Sequence, residues 1–149
     1  MLYLSFRLGP DRYVLAACQV LEVLPMLLLR AWPDAPAPVA GLCNLRGRSV
    51  PVLDLCMLAL GRPAAELLST RMLLVQLGPP SRRLALLVEQ ATDTLRLEDG
   101  AFGAAQLRGA PWLGELASLP GGELVQRVSL QGLLPEAMLD SLFAAPALS

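Results

Sequence analysis

The sequence contains no histidine, no lysine and no isoleucine. Without histidine, the chain lacks the usual general base of enzymes and the commonest transition-metal ligand. The basic residues are all arginine, which we attribute to a codon bias toward G and C. Because leucine takes the place of isoleucine, helix propensity alone would predict too much helix, and the alternation of apolar and polar residues has to decide.

Cysteine is also scarce, with Cys18, Cys43 and Cys56 alone in 149 residues. An odd number of cysteines with no C-x-x-C pair argues against a disulfide framework. We therefore expect the cysteines to be small buried apolar residues, without a redox or metal-binding role.

The sequence also lacks the arrangements that carry catalysis. Its carboxylates are scattered, as at Glu22, Asp54, Glu89 and Asp93. There is no G-x-S-x-G, Walker A or G-x-G-x-x-G pattern. We expect a protein that is not an enzyme and that binds no cofactor and no metal.

The formal net charge of −1 gives no indication of a nucleic-acid partner or an anionic membrane surface. Hydrophobic residues make up 54% of the chain, which indicates either a large core or exposed apolar patches for protein partners. No apolar run reaches the length of about 18 residues that a membrane span needs, because Glu22 and Pro25 interrupt the stretch from residue 20 to residue 29. Arg7 lies inside an alternating N-terminal pattern, which is unlike a signal peptide. We expect a cytoplasmic protein with no direct membrane insertion.

The first half of the chain reads as short strands. Leu2, Leu4, Phe6 and Leu8 alternate with more polar residues, a pattern that predicts a half-buried strand. A turn follows at residues 9–12, then short apolar segments at 13–17 and 20–24, and a proline-rich loop at 32–38.

The second half begins with a short helical turn at residues 57–60 and a hairpin formed by the apolar runs 72–77 and 84–88. Residues 97–122 are rich in glycine and proline and show little periodicity, so we expect a long irregular connection there. A final strand at 124–130 precedes a terminal helix that Pro135 opens. Many short strands separated by turns indicate small barrels, not a βαβ sheet.

The strongest local pattern is VAGLCNLRGRSVPVLDL, at residues 39–55. Two apolar runs flank the corner NLRG, which holds the only asparagine, and predict two adjacent strands joined by a tight bend. Arg46 and Arg48 would stand beside that bend. Pro51 has no N–H for a sheet ladder, so the second strand is not expected to be central along its whole length.

This stretch resembles the NLRG-x-x-x-P-[VI]-[VI]-D-L signature of the CheW family, the adaptors that couple chemoreceptors to their histidine kinase. Residues 4–25 resemble the family's opening hairpin and its V-x-E-[VI] strand. Residues 70–97 resemble the next strand pair, and residues 111–134 are similar to the closing strand before a terminal helix.

The resemblance implies a mainly β fold in which residues 1–149 form one CheW-like domain. That domain would consist of two SH3-like five-stranded β-barrel subdomains around a shared apolar seam, with a short C-terminal helix. The implied function is a scaffold without covalent chemistry. One face would hold the cytoplasmic tip of a methyl-accepting chemoreceptor, and another the regulatory domain of a CheA-type histidine kinase.

The resemblance also assigns residues to the two faces. The receptor-binding set comprises Arg46, Glu22, Val23, Gly41, Arg71, Ala85 and Thr94. The kinase-binding set comprises Val20, Gly47 and Val50.

Simpler structural roles remain open for several of these residues. Arg46 could brace the two subdomains through an internal ion pair, and Gly41 and Gly47 could serve backbone geometry alone. Val23 and Ala85 could be core residues. In the same way, Asp54 could do no more than cap the helix that follows it.

The sequence departs from the family pattern in places. Ala16 stands where an acidic residue is usual, and Cys43 stands at a site that is often threonine. These differences suggest a non-flagellar array, such as the surface-sensing Wsp-type systems that drive a diguanylate cyclase. Two alternatives are a CheW-like regulatory domain of a histidine kinase and a small enzyme of unrecognised type. Met1 begins the first strand directly, which favours a free-standing chain over the kinase domain.

Overall fold

The computed structural model describes residues 1–103 and 110–144. Within these residues the chain forms ten strands and two short α-helices. In chain order they are β1 (Leu2–Leu8), β2 (Asp11–Ala16), β3 (Val20–Pro25), β4 (Leu29–Arg30), β5 (Val39–Leu45), β6 (Arg48–Asp54), α1 (Leu55–Leu60), β7 (Arg71–Gln76), β8 (Arg83–Arg96), β9 (Leu113–Ser118), β10 (Leu124–Val128) and α2 (Glu136–Ala144). The expected mainly β fold with a short C-terminal helix is confirmed.

The strands form two groups that share β8. Sheet A has the order β8-β1-β2-β10-β9, and sheet B has the order β3-β7-β8-β6-β5-β4. Most neighbours are antiparallel, but β10 pairs with β2 and β6 pairs with β8 in parallel. Five strands in each group, with the two-residue β4 added to sheet B, agree with the expected pair of small barrels.

Strand β8 belongs to both sheets because it bends in the middle. Its first half pairs with β6 and β7, and its second half pairs with β1. The register with β1 shifts between Ser5 and Arg7, opposite the stretch of β8 that contains Gln90. Gln90 has a φ of 47°, which is rare for a residue other than glycine. A bulge of this kind bends a strand and increases its twist.

The interior is divided into a large and a small apolar cluster. The small one lies within sheet A and contains Tyr3, Val14 and Val125. The large one joins side chains of both sheets and of α2, including Phe6 of β1 and Leu139 of α2. The expected apolar seam between the two halves is therefore present as the larger cluster.

The prediction of a half-buried β1 was wrong. Phe6 and Leu8 are buried on one face, and Tyr3 and Ser5 are buried on the other, whereas Leu2 is exposed. The reason is that each face of β1 covers a different cluster. Alternation of apolar and polar residues predicts a strand with one buried face, so it gives the wrong burial for a strand that lies between two apolar clusters.

The middle of the chain follows the predictions. The segment 32–38 contains no strand, and the hairpin of β7 and β8 closes through the bond from the Leu77 N–H to the Arg82 carbonyl. Pro51 pairs with Leu42 of β5, and β6 contacts β8 only from Val52 onward. Strand β6 is thus central in its second half alone, as the proline predicted.

The prediction of a long irregular connection over residues 97–122 was wrong in part. Strand β9 lies within it, pairing with β10, and residues 104–109 fall outside the described residues. Gly114 of β9 approaches the Arg127 carbonyl so closely that a Cβ there would lie 3.0 Å from the oxygen. Glycine has a low strand propensity, so a strand that needs glycine at a close backbone contact is not predicted from its residue types. The final strand and the terminal helix are confirmed as β10 and α2.

Within the described residues, neither helix has the length and apolar character needed to cross a membrane.

Candidate functional site

The β5–β6 turn presents Arg46 in an unusual backbone conformation. Leu45 pairs with Arg48, so the turn has the two central residues Arg46 and Gly47, whose φ angles are 52° and 84°. Two positive φ values define the type I′ turn that suits the twist of a hairpin, and asparagine, aspartate or glycine normally occupies its first position. The Asn44 side chain accepts a bond from the Gly47 N–H at 2.8 Å and supports the turn. An arginine at this position is costly for the backbone, which points to a role for its side chain.

The Arg46 guanidinium forms a bidentate ion pair with Glu22 of β3. Its two terminal nitrogens donate to the two carboxylate oxygens at 3.0 and 2.5 Å. These bonds lower the pKa of Glu22 below its ordinary value and raise the pKa of Arg46. The Arg46 side chain is nevertheless 68% exposed. An exposed pair of this kind adds little stability, so a partner's carboxylate can take the place of Glu22 at small cost.

This ion pair connects two parts of sheet B that are distant in strand order. Glu22 lies on β3, the first strand of the order, and Arg46 lies between β6 and β5, near the other end. The sheet therefore curls until these parts meet. The alternative in which Arg46 braces two subdomains is not what the structure shows, because both partners belong to sheet B.

Strand β3 carries exposed apolar side chains next to this pair. It pairs with β7 alone, so its other edge has no strand neighbour among the described residues. Leu21 and Val23 are 49% and 47% exposed. Beyond the strand, Leu28 and Leu68 are almost fully exposed. Because Pro25 pairs with Arg71, the chain segments carrying these two leucines leave the same end of the β3–β7 pair. Several exposed apolar side chains at one edge of a small protein are typical of a partner-binding surface.

Two buried carboxylates lie away from this surface and anchor the segment that follows α1. Asp54 accepts bonds from the N–H groups of Cys56, Met57 and Ala64, which confirms its capping role. Glu89 accepts from three groups, which are the N–H of Gly9, the N–H of Ala65 and the Arg62 guanidinium.

The pKa values of this buried region follow from these contacts. Burial acts to raise the pKa of Glu89, but its bonds to backbone N–H groups and Arg62 outweigh burial and lower it. Burial and the nearby carboxylates raise the pKa of Cys56 to about 12. A carboxylate that accepts several backbone hydrogen bonds stabilises the local fold, and a buried thiol that stays protonated is unreactive. Both groups therefore have structural roles.

A family model described as CheW-like domain matches residues 2–138. The chain belongs to the CheW-like domain family. Among curated relatives, the chemotaxis protein CheW of Rhizobium meliloti (strain 1021) is 32% identical over 96 residues, and the probable chemotaxis protein CheW of Rhizobium etli is 27% identical over 96 residues. Each match covers 64% of this chain and 61% of the relative, so the similarity spans about three fifths of the relatives' length.

A solved structure supports the CheW-like fold. The crystal structure of scaffolding protein TtCheW from Thermoanaerobacter tengcongensis superposes with a TM-score of 0.80 at 20% identity. The superposition covers 90% of this chain and 87% of that chain.

The structure brings part of the predicted receptor-binding set together. Arg46 and Glu22 are in contact, and Val23 lies on the same strand as Glu22, exposed and not buried as its alternative role required. Arg71 is half-buried, and its Nη1 donates to the carbonyls of Leu68 and Thr70.

Three members of that set lie elsewhere. Ala85 is fully buried between β6 and β7, so its side chain is a core residue and not a surface contact. Thr94 is exposed, but it lies in the second half of β8, in sheet A. Gly41 is buried, and a Cβ there would lie 2.5 Å from the Arg30 carbonyl oxygen, so its role is close packing of β4 on β5.

The predicted kinase-binding set is divided in the same way. Gly47 is exposed in the turn, and Val20 is partly buried against the large cluster. Val50 is 6% exposed and belongs to that cluster, so its side chain is not presented at the surface.

Leu21 was missed by the sequence analysis. Leu21 lies two residues before Val23, so both side chains share one face of a strand that ends at a proline, and this pattern could have predicted its exposure.

Proposed function

We propose that this chain is a chemosensory adaptor that couples a methyl-accepting receptor to a CheA-type histidine kinase. Membership of the CheW-like family and the chemotaxis names of the matched relatives support the chemosensory role. The observation that carries the proposal is that the exposed residues Leu21 and Val23 flank Glu22 on β3, whose carboxylate forms the ion pair with the exposed Arg46. We name Leu21, Glu22, Val23 and Arg46 the β3 surface.

The β3 surface combines the two features that a helical receptor tip needs from its partner. Leu21 and Val23 supply apolar area that loses its contact with water on binding. Arg46 supplies a planar fork that can bind a receptor carboxylate in two hydrogen bonds. Since Glu22 already holds the guanidinium in place, little side-chain entropy remains to be lost when the receptor binds.

The kinase would contact an edge that adjoins the β3 surface at the β5–β6 turn. The family resemblance assigns it an edge that includes Val20 and the turn at Gly47, and Gly47 is exposed as such a contact requires. Val50 would support this edge from within the core. The adaptor then acts by geometry, holding a kinase beside a receptor so that a receptor movement has a different effect on each kinase state.

Binding experiments on Arg46→Asn test the proposal. Asparagine is favoured at this position of a type I′ turn, so the variant should fold as well as the wild-type protein. It has no guanidinium, so we expect its affinity for a receptor cytoplasmic fragment to fall about tenfold or more. Binding to the kinase regulatory domain should be unchanged. Affinities for both partners, taken from the same genome, would be measured by titration calorimetry.

A charge exchange separates contact from bracing. In the double variant Glu22→Arg with Arg46→Glu, the ion pair can form again with its charges reversed. Restored receptor binding would mean that the pair only shapes the turn, and would contradict a direct contact by Arg46.

A matched pair of apolar variants tests the rest of the β3 surface. Val23→Asp should abolish receptor binding. Leu124→Asp changes a side chain of similar exposure on β10, in sheet A, and should leave it intact. If the wild-type protein binds neither receptor nor kinase, the coupling function is wrong.

A further inference from the structure

A basic pocket lies beside the β5–β6 hairpin and shares Arg46 with the β3 surface. It has a volume of about 160 Å³ and lies between that hairpin, the β7–β8 turn and α2. Arg46, Arg48 and Arg83 line it, and Phe143 and Pro80 provide an apolar wall. No carboxylate is among its lining residues. We name it the arginine pocket.

The arginine pocket carries positive charge that nothing in the described part of the chain balances. Glu22 neutralises Arg46. Arg48 and Arg83 form no ion pair with any residue in 1–103 or 110–144. The Nε of Arg83 is buried and has no hydrogen-bond partner there. A buried donor without a partner is costly. Because this nitrogen has almost no exposed surface, a ligand in the pocket would bond the terminal nitrogens of Arg83, which also lack a partner among the described residues.

The neighbouring Arg82 differs from Arg83 in its ion pairs. Arg82 lies next to it in the same turn and bonds both Glu136 and Asp140 of α2. The acidic residues of α2 are therefore already in use, and they bond Arg82 instead of the arginine pocket.

Two unbalanced guanidinium groups match the charge of one phosphoryl group. A phosphomonoester carries a charge of about −1.5 to −2 at neutral pH, and its three oxygens accept charge-assisted bonds from arginine forks. A carboxylate would balance only one of the two arginines. Phe143 and Pro80 suit an apolar or aromatic group attached to the phosphate.

We propose that the arginine pocket binds a phosphoryl group of a small molecule, held by Arg48 and Arg83 with its organic part against Phe143. Arg48 and Arg83 are not among the receptor and kinase contacts proposed above, although Arg46 and Val50 line the same pocket. The existence of the phosphoryl site does not depend on the adaptor function.

Titration of the full chain followed by NMR tests the proposal, with arginine Nε–Hε resonances as the direct readout. The probes are inorganic phosphate, phenyl phosphate and acetate. We expect saturable shifts at Arg48 and Arg83 with both phosphates, tighter binding of phenyl phosphate, and no comparable effect of acetate. Phosphate alone binding as well as phenyl phosphate would identify a free-phosphate site and overturn the role of Phe143. Equal effects of acetate, or no saturable shift, would overturn the proposal.

Substitutions of the pocket arginines test whether phenyl phosphate binds in the arginine pocket. Arg83→Gln should weaken phenyl phosphate binding about tenfold or more, because it removes a charged donor. Arg48→Gln should do the same, and its exposed position makes it the safer variant for folding. The control is Arg96→Gln, an exposed arginine in sheet A that lies opposite Leu2 and forms no ion pair with any described residue. A loss of binding in the control equal to that in Arg48→Gln would show nonspecific attraction and contradict the pocket.

Discussion

The buried carboxylate of Asp54 offers a quantitative test of how this fold is held together. Its Oδ1 accepts bonds from the N–H groups of Cys56 at 2.9 Å and Met57 at 3.2 Å, which begin α1. Its Oδ2 accepts the N–H of Ala64 at 2.9 Å, which fixes the segment after the helix. The residue is 4% exposed, so water cannot replace these bonds if the carboxylate is removed. Asp54→Ala therefore removes the helix cap and the loop anchor together.

The two losses can be estimated separately. Losing an N-cap costs about 1 kcal/mol, and leaving one buried N–H without an acceptor costs about 1–3 kcal/mol. Asp54→Ala should thus lower the free energy of unfolding by about 2–4 kcal/mol. Asp54→Asn keeps an oxygen for the cap but turns an NH₂ group toward the Ala64 N–H, so only the second loss applies. We expect about 1–3 kcal/mol for Asp54→Asn, which is about 1 kcal/mol less than for Asp54→Ala.

Urea denaturation followed by circular dichroism measures both values. With an m-value of about 2 kcal/mol/M, Asp54→Ala should lower the denaturation midpoint by about 1–2 M, and Asp54→Asn by about 0.5 M less than that. If asparagine and alanine are equally destabilising, the division between cap and anchor is incorrect. If Asp54→Ala leaves the midpoint unchanged, the buried bonds do not carry the stability assigned to them.

Three further predictions concern the interior. Gly41→Ala should lower the free energy of unfolding by about 2 kcal/mol or more, because a Cβ would meet a backbone carbonyl of β4 and φ is positive; thermal denaturation measures this. The pKa of Glu89 is lowered in the folded state, so its contribution is present above the ordinary value of 4.5 and is lost as the pH falls through the lower folded value. Glu89→Gln should then be less stable than wild type at pH 7, with a smaller difference at pH 3, as denaturation at both pH values would show. Cys18 is exposed, whereas Cys43 and Cys56 are buried with raised pKa values, so a thiol reagent should modify Cys18 in the folded protein and the other two only after unfolding.

Local chemistry made several elements predictable. The NLRG corner predicted the β5–β6 turn because its asparagine and glycine have specific backbone roles, and Pro51 predicted where β6 loses its second neighbour. The apolar run predicted the long β8 only as far as residue 88, and it was the family resemblance that extended the strand pair to residue 97. The second half of β8 contains polar residues and passes into another sheet, which periodicity along one strand cannot reveal.

The residues of the candidate site could be predicted from the sequence, but the contacts between them could not. The family resemblance named Arg46 and Glu22 as neighbours of one groove, but their contact depends on how sheet B curls, which involves strands 24 residues apart. Burial of Ala85 and Val50 depends on the same curvature. The surface-sensing subtype, the receptor and the kinase stay predictions that binding experiments have to test.

The shared strand β8 has a consequence for how the molecule can be divided. Residues 83–88 complete one sheet and residues 89–96 complete the other, while β10 returns to pair with β2 near the opposite end of the chain. A cut after β7 would leave the N-terminal fragment without the strand that joins β6 to β7. It would also leave the C-terminal fragment without β1 and β2. We therefore expect neither fragment to fold on its own, and split halves to regain structure only when mixed, by complementation.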